Sequence, residues 1–167
     1  MSGIYGVWNS FDMASADRTD IGKIKKWNKA YGRLTENENV DDKFFLGCSY
    51  EMLSESASSA PVLQKNDKYA VIDAVLYNRP ELLAKGGFSD ELSDEELILA
   101  YTEKFGFEEL REVNGDFAGA IYDTVSETLT LFRDHMGVRP LFYCLSEGSF
   151  AFSTDIRGLV SMRSTDV

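Results

Sequence analysis

Histidine is nearly missing from this chain. His135 is the only one in 167 residues, so a histidine-based zinc site or a Ser-His-Asp triad would have to be built around that single side chain. Cysteine is almost as scarce: Cys48 and Cys144 are too few and too far apart for a disulfide framework and read as reduced thiols. No apolar run approaches the ~20 residues of a membrane span, and the start has neither the basic region nor the apolar core of an export signal. These absences predict no membrane partner and a cytoplasmic location. Basic residues are outnumbered, 17 against 28 acidic, for a net charge of −11. A surface of that sign repels nucleic acid and anionic lipid. No internal repeat or low-complexity tract interrupts the chain.

What is present is a globular composition, 44% apolar and 27% charged, at a length that suits one domain spanning residues 1–167. "GIYGVWN" alternates as a strand, and "IGKIKKWNKAYG" places Ile21, Ile24, Trp27 or Asn28, and Tyr31 at helical spacing. "FFLGCSY" reads as a second strand and "ESASSAP" as a surface loop. "KYAVIDAVLYN" is continuous enough in apolar residues to be an inner strand. Ser93 with Glu96 three residues later forms a capping box, which predicts a helix over 94–105 carrying Leu97, Ala100, Tyr101 and Phe105 on its apolar face. "FAGAIYD", "TLTLFRD", "RPLFYCL" and "SFAFST" read as four short strands of an antiparallel meander, with Pro140 at the start of the third. "DIRGLVSMRSTDV" starts a helix and runs into polar residues with no capping signal, so a longer polypeptide cut at a domain boundary is expected. Strands in two blocks with helices between them predict an α+β layered architecture.

Ser2 raises a chemical question. Removal of Met1 is expected because the next side chain is small, and it would leave a hydroxyl and a free α-amine on one residue. An α-amine titrates near ~8 and can take the proton of its own side chain, as in nucleophiles activated by an adjacent base. A processed N-terminus that happens to begin with serine is the plainer reading of these letters.

"SGIYG", "LYNRPEL", "SDEELILAYTEKFG", "NGDFAGAIYD" and "FRDHMGVRPLFY…FAFSTDIRGL" stand in the order and spacing of the N-terminal domain of asparagine synthetase-like proteins. The chain therefore resembles a class II glutamine amidotransferase domain of the N-terminal-nucleophile hydrolase fold over essentially all its length. The resemblance implies a four-layer αββα sandwich of two antiparallel sheets between helix layers. It also implies an N-terminal cysteine that attacks glutamine's side-chain amide, and ammonia passing to a C-terminal synthetase domain in cis. ATP and Mg would belong to that second domain, with no cofactor and no metal in this one. A homodimer is left open.

The machinery implied by the family departs from this sequence at several positions. Ser2 stands where the family has cysteine, and an alkanol needs far more base assistance than a thiol ionising near ~8.5. Where the family reads Asn-Gly-Glu, the chain has Asp73, Ala74 and Val75, while Tyr77 and Asn78 stay in register. The family's asparagine donates to the oxyanion, whereas an aspartate accepts only and repels developing negative charge. Losing one such donor costs on the order of 3 kcal/mol, about a hundredfold in rate. Ala74 also closes off positive-φ conformations open to glycine. Ser49, Tyr50 and Glu51 stand where arginine would hold the substrate α-carboxylate, and the nearest match to the Arg-Gly-Pro-Asp signature is "YGRL", Tyr31 to Leu34.

Asp94 in "SDEEL" matches the α-amine partner, although an acid in the first turn of a helix is favoured by the dipole without any ligand. "RDHMGVRP" is scaffold in the family, which leaves Arg133, Asp134 and Arg139 to fix a turn or meet a neighbouring domain. Two readings compete: a pseudoenzyme domain that has lost amide hydrolysis and keeps a structural role, or an N-terminal-serine amidohydrolase acting on an unknown amide. A single Cys-to-Ser replacement in an ordinary asparagine synthetase would have left the Asn-Gly-Glu and the arginine in place.

Overall fold

The computed structural model describes residues 3–9, 18–31, 34–39, 44–50, 62–146 and 148–163. In chain order the elements are β1 (Gly3–Asn9), α1 (Arg18–Asn28), β2 (Leu34–Asn39), β3 (Phe44–Tyr50), β4 (Leu63–Lys65), β5 (Lys68–Leu76), α2 (Arg79–Gly86), α3 (Asp94–Phe105), β6 (Gly115–Asp123), β7 (Thr128–Arg133), β8 (Phe142–Ser146), β9 (Ser149–Ser153) and α4 (Ile156–Arg163). Short 3-10 turns cover Lys29–Tyr31 and Phe107–Glu112. The chain gathers into two compact units, Met1–Ala57 with Pro140–Val167, and Ser58–Arg139.

The first unit is built on a five-stranded antiparallel sheet in the order β2-β3-β1-β9-β8. β1 lies at its centre, in register from Gly3↔Ser49 to Trp8↔Phe44 on one side and from Tyr5↔Ser153 to Asn9↔Ser149 on the other. Helices α1 and α4 pack on this unit through a cluster containing Val7, Ile24, Phe45, Ala151 and Leu159. Gly158 makes that helix pair close: a Cβ there would lie 3.3 Å from the Ile24 Cα, so the small residue lets the two backbones approach.

The second unit is a four-stranded antiparallel sheet in the order β4-β5-β6-β7. β5 is the inner strand expected from its apolar run. Ala70, Ile72, Ala74 and Leu76 alternate into a core with Leu97, Ile98 and Tyr101 of α3 and Leu82 of α2, each large side chain worth about 2 kcal/mol when removed from water. The helix expected over 94–105 is α3, with both halves of its capping box formed: Ser93 Oγ accepts from Glu96 N at 3.2 Å and Glu96 Oε2 from Ser93 N at 2.8 Å.

Two sequence expectations change. The last four strands do not form one meander: β6–β7 belong to the four-stranded sheet and β8–β9 to the five-stranded one. The turn between Arg133 and Phe142 carries the chain from one sheet to the other, and apolar alternation alone does not say which sheet a strand joins. Pro140 accordingly precedes β8 by two residues instead of starting it. β2, β4 and α2 were not foreseen. The "ESASSAP" loop lies outside the described residues.

Candidate functional site

β5 carries two kinds of side chain on its two faces. Opposite the helix-packed residues stand Val71, fully buried, Asp73, 5% exposed, and Val75, 44% exposed. The Asp73 carboxylate is thus inside the fold, and its partner is Arg139: Nη1 lies 3.3 Å from Asp73 Oδ2, with the two side chains 11% and 7% exposed. Arg139 Nε is buried and has no hydrogen-bond partner among the described residues. Ala74 is a regular strand residue, in register with Phe117 and buried toward the helices. Positive φ among described non-glycine residues occurs only at Asn66 and Glu127, so the segment 73–75 runs without the glycine-type backbone.

Arg139 is aimed by the turn that precedes it. Asp134, 4% exposed, accepts from Val138 N at 2.9 Å and from Arg139 N at 3.0 Å, and Gly137 N donates to the Asp134 carbonyl at 3.2 Å. Burial pushes the Asp134 carboxyl up, but the backbone N–H groups of Arg139, Val138, Phe117 and Gly137 outweigh it and hold it below the ordinary carboxylate range. Gly137 takes φ +66°, and a Cβ there would stand 3.2 Å from the Arg133 guanidinium carbon. The scaffold reading of "RDHMGVRP" thereby gains a stated job, which is to hold the cation that faces Asp73. His135 is exposed on the same turn.

Asp94 opens α3, and both of its oxygens are engaged. Oδ2 accepts from Leu76 N at 2.8 Å, at the end of β5, and Oδ1 accepts from Arg79 Nη1 at 2.8 Å. Arg79 also donates to the carbonyls of Asp90, at 2.9 Å, and Leu92, so its guanidinium is fixed on three acceptors. Glu95, which the sequence reading passed over, lies near both acids. Burial raises its carboxyl above the ordinary range, and the charges of Asp94 and Asp73 add to the rise. Its signal in the sequence was the run of three acids in "SDEEL". Tyr77 and Asn78 bind structure. Tyr77 donates its hydroxyl to Asp116 Oδ2 at 2.6 Å, a bond that raises the phenol's pKa. Asn78 donates to the Glu112 carbonyl and accepts from Asn114 N, both at 2.9 Å.

The other positions lie in the five-stranded unit or outside the description. Ser2, Glu51, Gly32 and Arg33 are outside the described residues. Ser49, one of the residues standing where the resemblance implies an arginine, is fully buried and bonded to the Tyr5 phenol, whose pKa burial raises and Ser49 partly lowers. Tyr50 ends β3 half-buried. Ile4 of β1, two residues after Ser2, is fixed by a buried polar network that sequence reasoning missed. Ile4 N donates to Thr154 Oγ1 at 3.2 Å and Thr154 N to the Ile4 carbonyl at 3.0 Å. Asn28 Nδ2 donates to Ser153 Oγ at 2.9 Å, and Thr154 Oγ1 to Asn28 Oδ1 at 3.2 Å. The only hint was a polar Asn28 on the apolar stripe of α1. Among the described residues no three His, Cys, Asp or Glu side chains cluster to hold a metal ion.

Comparison with known proteins places the chain in a family. The chain is 28% identical over 180 residues to asparagine synthetase B of Escherichia coli, covering 99% of this chain and 31% of that protein. It is 31% identical over 102 residues to putative asparagine synthetase 2 of Methanocaldococcus jannaschii (60% and 20%). To the carboxyethyl-arginine beta-lactam-synthase of Streptomyces clavuligerus it is 34% identical over 96 residues (56% and 18%). It spans about a third or less of the length of these relatives. The glutamine phosphoribosylpyrophosphate amidotransferase of B. subtilis superposes with a TM-score of 0.68 at 12% identity, over 95% of this chain and 43% of that one. The shared fold is the α+β N-terminal-nucleophile type expected from the sequence. A family model described as a glutamine amidotransferase domain matches residues 1–167, and the chain belongs to that glutamine amidotransferase domain family.

Proposed function

We propose that this is the glutaminase-fold domain of an asparagine synthetase-like, ATP-dependent amide ligase, and that it has lost amide hydrolysis while keeping a structural role beside a synthetase domain in cis. The observation that carries the reading is the closed pairing of Asp73 with Arg139. A glutaminase needs a hydrogen-bond donor for the tetrahedral oxyanion, and a carboxylate held against a guanidinium offers lone pairs and no hydrogen. The engagement of Asp94 by Arg79 and Leu76 N supports it, because a substrate ammonium would have to compete with a cation already in place. ATP and Mg would serve the synthetase domain, and no step through them is assigned to residues 1–167. A cytoplasmic location goes with two cysteines that are not joined in a disulfide.

A second reading, an N-terminal-serine amidohydrolase, draws on the same ion pair: Arg139 compensates the charge of Asp73, so the segment repels an oxyanion less than a bare carboxylate would. Glutamate and ammonia release from glutamine by the full-length protein tests the silence directly. Silence predicts a rate equal to that of Ser2→Ala; turnover that Ser2→Ala abolishes establishes the hydrolase instead.

A further inference from the structure

We infer that Asp94 and the chain leading into α3 form a receptor for an organic cation, a primary ammonium or a guanidinium, and that Arg79 is the tethered ligand that keeps it filled. This inference deepens the proposed function and rests on its reading of Asp94 as the position that would meet a substrate amine. The receptor is made of oxygen. Arg79 Nη1 lies 2.8 Å from Asp94 Oδ1, and Nη2 donates to the carbonyls of Asp90, at 2.9 Å, and Leu92. Asp90 Oδ1 adds its charge from 3.6 Å. Asp94 is itself fixed, since its Oδ2 accepts from Leu76 N at 2.8 Å.

Two carboxylates and two carbonyls offer only lone pairs, so the set selects a positively charged group with several N–H donors. The Arg79 and Asp94 side chains are 23% and 24% exposed, which leaves the site within reach of solvent. The helix that carries Arg79 does not account for it. Arg79 is the first residue of α2, where the helix dipole favours an acid and opposes a cation. Glu81 is the acid of that first turn. The guanidinium bonds instead to acceptors 11 to 15 residues further along the chain.

Tethering explains why such a receptor stays closed to free amines. A group joined to its site by a short linker acts at an effective concentration on the order of millimolar, and a free amine has to exceed that to displace it. Truncating the side chain at Cβ removes the competitor and leaves all four acceptor groups on the protein.

The test uses the full-length protein carrying Ser2→Ala, with and without Arg79→Ala. The probe is γ-aminobutyramide, which keeps the amine and the side-chain amide of glutamine and has no α-carboxylate. In calorimetric titration the Arg79→Ala protein should bind it at least about tenfold more tightly than the protein that retains Arg79, and adding Asp94→Asn should abolish the gain. As an independent readout, guanidinium chloride at low millimolar concentration should raise the thermal midpoint of Arg79→Ala and not that of the protein retaining Arg79, with sodium chloride as the control. Equal affinity, a gain that survives Asp94→Asn, or a midpoint that guanidinium leaves unmoved would overturn the assignment and make Arg79 a staple between α2 and the segment before α3. If Arg79→Ala does not fold alone, guanidinium decides: folding restored by it supports the receptor, and no restoration overturns it. Glutamine turnover by the protein with Ser2 intact would remove the proposed silence and leave this comparison standing, because both proteins in it lack Ser2.

Discussion

Arg139 and Asp73 are about equally buried, and each removes the cost of burying the other. Taking one charge out of a buried pair strands its partner, which typically costs 3–5 kcal/mol, whereas replacing both by apolar groups is often close to neutral. Asp73→Ala is therefore expected to destabilise the chain by about 3 kcal/mol in urea unfolding, and Asp73→Ala with Arg139→Met to recover most of the loss. Simple additivity of the two changes would show that the pair is not coupled. Asp134 supplies a pH signature. Its folded carboxyl lies below the ordinary value of ~3.9 because backbone N–H groups outweigh burial. Its contribution is fully present above the unfolded pKa and is lost as pH falls through the folded one. Stability should thus decline below about pH 4, and Asp134→Asn, unstable at neutral pH by comparison, should show a shallower acid limb in urea midpoints taken from pH 6 to 3. A parallel limb in the variant would remove Asp134 from the account.

A helix with a capping box and an apolar stripe was legible, and strands made only by pairing were not. α3 has a capping box and an apolar stripe, so its bounds could be read from "SDEELILAYTEKF" alone, and Ser93→Ala should cost about 1 kcal/mol by thermal or urea unfolding. α2 carried signals that went unread: Pro80 in the first turn and Gly87 in the left-handed conformation at its C-cap. β2 reads "LTENEN" and β4 "LQK"; neither has an apolar pattern of its own, and each is a strand because β3 or β5 offers it a ladder. The expected meander failed for a related reason, since strand propensity names strands but leaves their neighbours open. Gly158 tests the packing of α1 on α4. Gly158→Val should cost about 1–3 kcal/mol, because the new side chain meets the Ile24 backbone; an unchanged unfolding midpoint would mean that the helices do not pack at this distance.

At the scale of the whole molecule, family membership was readable because long motifs sit in order along the chain, while the state of the site was only half readable. The substitutions at Asp73, Ala74 and Ser49 are visible as letters. The guanidiniums that answer Asp73 and Asp94 are not, because Arg139 arrives from the turn before β8 and Arg79 from the start of α2. On the proposed reading the positions that match the family's donor and carboxylate cation are changed as well as the nucleophile, and Asp73 and Asp94 are each paired with an arginine. Restoring the nucleophile alone isolates that claim. Steady-state glutaminase activity of full-length Ser2→Cys is the direct measurement: glutamate release indistinguishable from that of Ser2→Ala is the predicted result, and glutamine turnover created by that one thiol would contradict it.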